Sequence, residues 1–427
     1  MGGYRAGRRV KIGYRWTVCA LLFAVTTVNY MDRQILGILA PTLQRELHWS
    51  ESQYANIVLS FTVLYALGFL VAGWWLDRVG VRRGFAMAVV AWSLAAIGHA
   101  FARTAAGFAA ARAFLGLGES ANFPGAIKTV AEWFPQRERA LAAGIFNAGT
   151  NTGAILTPLL VPWIVLRWGW QPAFIVTGSL GFLWVLVWLV LYREPGRHAR
   201  VTAEELALIH SDPPDGAPPR VAWLDLLTHP QTWAFAVGKL LADPIWWFYL
   251  YWLPKFLDAR YGLSLTQLAL PLIVVYLVAD AGSVGGGWLS SALIKRGWSV
   301  NRARKTTLLA MALLIVPTAF APLAGSMWTA VLVVAVAAAA HQAWSANVYT
   351  LASDMFPRAW VGSVVGIGAC AGAVGGLVFQ RVTGLILQAN GSNYTPLFAV
   401  CGLAYVTAWC LIHLLAPRLA PVDGGRQ

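Results

Sequence analysis

"AEWFPQRERALAAGIFNAGTNTGA", residues 131–154, returns in altered form as "SDMFPRAWVGSVVGIGACAGAVGG", residues 353–376. Phe134-Pro135 aligns with Phe356-Pro357, Glu132 with Asp354, Gly144 with Gly366 and Gly153 with Gly375. A second pair, "GWWLDRVGVRR" from Gly73 and a degenerate "GGWLSSALIKR" from Gly286, falls in the same order. A chain that repeats itself in its second half is built from two copies of one unit. What that unit is follows from the apolar pattern around the repeats.

The chain has 427 residues, of which 58% are hydrophobic and 12% charged. A soluble domain carries about twice that charged fraction. The apolar excess is cut into blocks of roughly 20 residues, the length of a helix that crosses about 30 Å of hydrocarbon. Barrel strands need about ten alternating residues each, and no such alternation is present. With no water in a bilayer to satisfy the backbone, each block is a helix. Twelve spans result, at roughly 16–41, 53–75, 84–102, 107–131, 139–165, 169–192, 233–257, 266–293, 304–324, 327–350, 360–388 and 394–416. No cleavable signal peptide is expected, because the first block is too long and no small-residue cleavage site follows it.

The polar stretch 193–230 contains "DPPDGAPP" and a short helix from Thr202, with Thr202 and Glu205 at capping-box spacing. It divides the chain into a six-helix half, 1–192, a linker, and a second six-helix half, 231–427. In the repeat, spans 2, 4 and 5 correspond to spans 8, 10 and 11. Two such halves in the same orientation are a secondary-transporter architecture, with the substrate site between them near the midplane.

The net charge is +14, and it is placed unevenly. Arg5, Arg8, Arg9, Lys11 and Arg15 precede span 1, and Arg78, Arg82 and Arg83 follow span 2. Arg137 and Arg139 follow span 4, and Arg193, Arg197, Arg200 and Arg220 lie in the linker. Lys295, Arg296, Arg302, Arg304 and Lys305 follow span 8, Arg358 follows span 10, and Arg418 and Arg426 follow span 12. The opposite loops hold little beyond Arg45, Arg103, Arg167 and Arg260. The positive-inside rule therefore makes both termini and the linker cytoplasmic. Topology consumes the basic charge, so no nucleic-acid partner is expected. Cys19, Cys370, Cys401 and Cys410 all lie in apolar spans, without metal-ligand or disulfide spacing. No cofactor and no metal are expected, and the absence of a nucleophile triad, HExxH or phosphate loop argues against an enzyme.

"GWWLDRVGVRR" resembles the signature of the second loop of the major facilitator superfamily: a glycine, then Asp-Arg, then a glycine and a basic pair. "NYMDR" (29–33) and "RAFLGLGESANFPG" (112–125), followed by "EWFPQRERA", resemble the anion:cation symporter family within it. "DPIWWFYLYWLPKF" from Asp243, "GGGWLSSALIKRGWSVNRARK" from Gly285 and "HQAWSANVYTLASDMFP" from His341 resemble the bacterial hexuronate transporters. The resemblance covers the whole chain. It implies a twelve-helix all-α integral membrane fold. The implied function is proton-coupled uptake of a hexuronate such as glucuronate or galacturonate across the inner membrane, with the transporter functional as a monomer in the lipid bilayer. The alternatives are symport of an aldonate, aldarate or other organic anion, and a non-transporting membrane sensor.

The charges inside span 1 carry the chemistry. A charge at membrane depth costs several kcal/mol unless it is paired or faces a polar cavity. Asp32 and Arg33 are adjacent, so they point about 100° apart and cannot pair well with each other. Either they brace span 1, or they meet span 4, where Arg112 and Glu119 lie two turns apart on one face. The heights allow a cluster of Asp32, Arg33, Arg112 and Glu119. Burial favours a neutral carboxyl and a nearby arginine an ionised one. A substrate carboxylate that engages an arginine withdraws it from the acid, so substrate and proton favour each other's binding. The resemblance assigns the same roles: Asp32 and Glu119 carry protons and Arg33 holds the substrate carboxylate, in the planar fork that suits it. Arg112 would tune Glu119.

A sugar acid also needs hydroxyl partners and aromatic faces. Candidates are Tyr65 in span 2, Asn147, Thr150 and Asn151 in span 5, Trp246, Trp247, Tyr249 and Tyr251 in span 7, and His341, Trp344 and Asn347 in span 10. By resemblance, Tyr65 matches a binding-site tyrosine of galactonate transporters, whereas Thr150 replaces the glutamine common there. The span 7 aromatics fit either an interfacial belt or the cavity wall. Lys239 and Asp243, one turn apart, are expected to neutralise each other. Asp280 either faces the cavity or pairs with another helix. His341 aligns with Glu119 in the repeat and is expected to form neutral hydrogen bonds rather than relay protons. Gly362, Gly366, Gly368, Gly372, Gly375 and Gly376 permit close helix approach in span 11. Asp77 is expected to accept from the positive end of span 11. Arg78, Arg82 and Arg83 would complete a cytoplasmic latch, or serve topology alone.

Overall fold

A computed structural model describes residues 13–49, 51–212, 223–263, 265–390 and 393–422. Arg5, Arg8, Arg9, Lys11, Arg220, Arg426 and most of "DPPDGAPP" lie outside them. Among the described residues the regular structure is helical, with no strand. The first half holds α1 (Tyr14–Leu47), α2 (Glu51–Val79), α3 (Val81–Gly98), α4 (Ala105–Glu119), α5 (Asn122–Trp133), α6 (Gln136–Trp168) and α7 (Trp170–Leu191). The linker contributes α8 (Ala203–Ile209). The second half holds α9 (Pro230–Tyr261), α10 (Leu265–Lys295), α11 (Val300–Ile315), α12 (Met327–Met355), α13 (Val361–Ala389) and α14 (Thr395–Leu415).

Packing repeats along with the sequence. α1 lies on α6 as α9 lies on α13, α2 on α4 as α10 on α12, and α3 on α7 as α11 on α14. Across the halves, α6 meets α10 and α2 meets α13. Nine helical segments among the described residues are long and apolar enough to cross a membrane. The remainder, α1, α4 with α5, and α9, are shorter or carry the buried charge: Asp32 and Arg33, Arg112 and Glu119, Lys239 and Asp243. Leu166, Val190 and Leu414 are among the apolar side chains exposed on the outer surface, where lipid replaces water.

Two spans depart from their expected form. Span 4 divides into α4 and α5 immediately after Glu119. Pro124 has no N–H to return to Ser120, and the Ser120 hydroxyl turns back to Leu117 O at 2.6 Å. Span 9 changes after Ile315 into a 3-10 stretch, Val316–Leu323, that contains Pro317 and Pro322. The expected capping box of α8 is half formed. Thr202 accepts from Glu205 N at 3.2 Å. The Glu205 carboxylate instead accepts from Tyr14 N (2.9 Å) and Arg15 N (3.0 Å), capping the start of α1.

Candidate functional site

Helix α1 turns its charged step toward α4. Arg33 Nε and Nη2 both donate to Glu119 Oε2, at 3.0 and 2.9 Å. Nη2 also reaches Asn29 Oδ1, one turn back, at 3.4 Å. The guanidinium is walled by aromatic rings, with Tyr65 at 4.4 Å, Tyr30 at 4.7 Å and Phe61 at 5.2 Å from its centre. Arg112 is buried beside this pair and donates through Nη2 to Arg33 O at 3.0 Å. Arg33, Arg112 and Glu119 therefore meet: Arg33 is the hydrogen-bonded partner of Glu119, and Arg112, close enough to act on Glu119 as expected, also holds the backbone of α1. Asp32 is 1% exposed and has no ion pair among the described residues; beside it stands the Thr177 hydroxyl of α7. Glu119 Oε1 is bare.

Arg33 opens onto a central cavity of about 570 Å³, counted with its mouth. From the first half, Tyr30, Tyr65, Phe69, Phe123, Asn147 and Thr150 also line it. From the second come Lys239, Asp243, Trp246, Trp247, His341, Gln342, Ser345 and Tyr349. Trp246 stacks on His341 with centroids 5.1 Å apart, and His341 Nδ1 is hydrogen-bonded to Tyr405 Oη. Asn147 Nδ2 crosses the halves to Gln342 Oε1 at 2.8 Å and Ser283 Oγ at 3.1 Å. Trp246 and Trp247 thus belong to the wall, whereas Tyr251 is exposed and Tyr249 is buried, with its Oη 3.3 Å from Thr318 Oγ1.

Two expected ligands serve elsewhere. Asn347 donates to Gly286 O (3.1 Å) and Ala343 O (2.9 Å), so it ties α12 to α10 behind the cavity. Asn151 donates to Asp280 Oδ1 at 2.7 Å, which gives Asp280 its partner across the halves. The cavity face of α12 is His341, Ser345 and Tyr349, four residues apart, together with Gln342. Reading that face at a strict four-residue step would have found Ser345 and Tyr349 in place of Trp344 and Asn347.

Below the cavity, at the end where the linker lies, the halves are tied together. Asp77 accepts from Gly362 N (3.1 Å), Ser363 N (2.7 Å) and Ser363 Oγ (2.7 Å), at the first turn of α13. Its basic partner is Lys128, with Nζ at 2.7 Å, and Lys128 also donates to Arg358 O at 2.9 Å. The arginines expected in this latch are placed differently. Arg82 donates to Leu189 O and Tyr192 O at the end of α7, Arg78 lies over Trp74, and Arg83 is exposed. A second tie joins Arg304 and Arg139 to Asp354. Arg304 Nε and Arg139 Nη1 lie 2.9 and 3.3 Å from its two oxygens, and Arg304 Nη2 reaches Gln136 O at 2.8 Å. Between the ties the backbones touch, for a Cβ added to Gly73 would lie 2.2 Å from Gly362 O. Lys128, Arg139 and Arg304 were not read as latch residues. The signal was Lys128, a single lysine inside the apolar stretch "GAIKTVAEW".

A sequence profile of the Major Facilitator Superfamily matches residues 22–380. The hexuronate transporter of Escherichia coli (strain K12) is 33% identical over 92% of this chain and 91% of its own. A galacturonate transporter of Dickeya chrysanthemi is 35% identical over 68% of this chain and 85% of its own. Among solved structures, the transporter FucP in an outward conformation superposes with a TM-score of 0.72 at 15% identity, covering 94% of this chain and 99% of that one.

Proposed function

The chain belongs to the major facilitator superfamily and is a multi-pass membrane transporter, and from that premise we propose that it takes up a hexuronate such as glucuronate or galacturonate together with protons. The observation that carries this reading is Arg33. It stands at the cavity wall, and its guanidinium is held by Glu119, a fully buried carboxylate with one bare oxygen. A substrate carboxylate arriving from the cavity competes for the same planar fork. When it wins, Glu119 loses its counter-charge in a low-dielectric place and takes a proton, so anion and proton enter as one neutral unit. Asp32, behind them with no ion pair among the described residues, is the second proton site. Arg112 keeps α1 and α4 in register by its bond to Arg33 O. Trp246 and Trp247 offer faces to the sugar's C–H surface, and Asn147, Thr150, Gln342 and Ser345 offer hydroxyl partners.

The Asp77 and Asp354 ties keep the linker end closed in this structure, and their release would let the two six-helix halves rock about the cavity. The excess of Lys and Arg at the linker end supports cytoplasmic termini. The test is Glu119→Gln, which keeps the shape and mimics the protonated carboxyl. In proteoliposomes, accumulation driven by an imposed pH gradient should collapse, while counterflow exchange in the same vesicles survives. Undiminished gradient-driven accumulation would remove Glu119 from the coupling.

A further inference from the structure

The second half places its own charge pair on the cavity wall. Lys239 Nζ lies 2.9 Å from Asp243 Oδ1 and donates to Tyr349 Oη at 3.0 Å. It also sits 4.1 Å from the Tyr349 ring centre. Both charged residues line the same cavity as Arg33, but from α9, in the opposite half. An i,i+4 pair adds only about 0.2–0.5 kcal/mol to a helix, and a buried pair is often outperformed by apolar residues of similar size. Helix stability therefore does not account for a pair set in this wall.

We propose that Lys239 and Asp243 form the subsite that reads the hydroxyl end of the sugar acid, and that Asp243 turns away sugar acids with a second carboxylate. This rests on the reading of Arg33 as the carboxylate anchor. Two observations favour hydroxyls over a second anion. First, the pair is neutral as a unit and offers both a donor and an acceptor, which is what a diol requires. A second carboxylate placed there would meet Asp243 before it could profit from Lys239. Second, Asp243 is the more accessible member of the pair. The Asp243 side chain is 21% exposed against 5% for Lys239, and its Oδ2 lies close against Gly372 of α13, where an added Cβ would come within 2.2 Å of it. Ala369 and Ala373 continue the same small-residue wall. Tyr349 fixes the ammonium from below and itself stacks on Phe123 of the first half, with centroids 5.3 Å apart. A ligand bridging Arg33 and the Lys239–Asp243 pair would therefore draw on both halves.

The experiment uses the purified full-length protein and the fluorescence of its tryptophans, two of which line the cavity. The ligands are a hexuronate, an aldonate, the hydroxyl-free ring acid cyclohexanecarboxylate, and the aldarate galactarate. Asp243→Asn leaves Lys239 uncompensated, and the double variant Lys239→Met/Asp243→Asn removes both charges without stranding either. The double variant should bind the preferred polyhydroxy acid at least about tenfold more weakly and cyclohexanecarboxylate unchanged. Asp243→Asn should raise galactarate affinity relative to the monocarboxylates by at least about tenfold. The proposal is overturned if the double variant binds polyhydroxy acids as the parent does, or if all ligands weaken together. An unchanged dicarboxylate preference in Asp243→Asn overturns it as well. Failure of the hexuronate reading has its own signature, since the parent would then bind the aldonate in preference to the hexuronate. If the parent binds neither, both readings fall.

Discussion

Two buried clusters of acids and arginines lie at different depths in this molecule, and they are finished to different degrees. At the linker end, Asp354 is fully buried and both its oxygens are occupied, by Arg304 and Arg139. Arg304 spends its remaining donors on Ser290 Oγ at 2.7 Å and Gln136 O at 2.8 Å. At the cavity, Asp32 has no ion pair and only the Thr177 hydroxyl is seen beside it, Glu119 has one bare oxygen, and Arg112 has Nε and Nη1 unused. Burial is the same in both places; satisfaction is not. A buried network whose every atom is answered is a clamp, and a bare one needs an explanation. The explanation offered above is that protons and a carboxylate complete the upper cluster by turns.

The comparison breaks most visibly at the clamp. Arg304→Met leaves one oxygen of Asp354, Ser290 and the Gln136 carbonyl without their partner, with Arg139 alone on the carboxylate. Removing one member of a buried ion pair costs about 3–5 kcal/mol. The melting temperature of the purified protein in detergent should fall by several degrees. An unchanged melting point would mean that the linker-end cluster is no clamp. Arg33→Ala comes next in size, and it acts on binding. Losing a charge-assisted pair costs about 1.5–3 kcal/mol, so hexuronate affinity should drop roughly 10- to 150-fold, with a smaller loss for Arg33→Lys. Parental affinity in a folded Arg33→Ala protein would sink the anchor assignment.

Asp77→Asn is milder. The amide keeps a single acceptor oxygen, so it answers Ser363 or Gly362 but not both, and it gives up the charge at the start of α13 and opposite Lys128. A charge at a helix end is worth about 0.3–1 kcal/mol, so the balance between inward and outward states should shift roughly two- to fivefold. Cysteine accessibility labelling on the two faces reads that ratio, with substrate binding intact. A constant ratio and full uptake would return Asp77 to a topological role.

The sequence carried the helices and their pairing further than it carried the partners of the charges. Spacing alone made Asp32 and Arg33 look outward to α4, because neighbours on a helix diverge, and α4 meets them there. It did not decide which arginine takes Glu119. Arg112 shares a helix with Glu119 and Arg33 does not, yet α4 stops immediately after Glu119 and the partner comes from α1. Asn347 and Asn151 show the same limit. A polar side chain in a membrane helix must find a partner, and sequence does not tell a ligand from a backbone carbonyl or an aspartate on the neighbouring helix. The repeat fared better where geometry is generic. His341 aligns with Glu119 and lines the cavity, although its hydrogen bond to Tyr405 could not be foreseen without the fold of α14.

The smallest structural effect is expected at Asp32, and it is the sharpest test of the comparison. Changing Asp354 to Asn would leave two arginines short of charge, but changing Asp32 to Asn removes a carboxylate that has no ion pair among the described residues. The Thr177 hydroxyl, buried on α7 beside the Asp32 carboxylate, can turn from donor to acceptor for the new amide. The melting temperature of Asp32→Asn should therefore hold or rise, in contrast to the fall expected for Arg304→Met. Function should separate in the opposite sense. An asparagine cannot take up and release a proton, so accumulation in response to a pH gradient should be lost while counterflow exchange persists. Both are read in the same proteoliposomes, beside a melting curve of the same preparation. If Asp32→Asn melts as early as Arg304→Met, Asp32 has a structural partner and the two clusters are alike. If it melts normally and still concentrates substrate under the gradient, the Asp32 carboxylate takes no part in coupling, and Glu119, set by Arg33, must carry the proton alone.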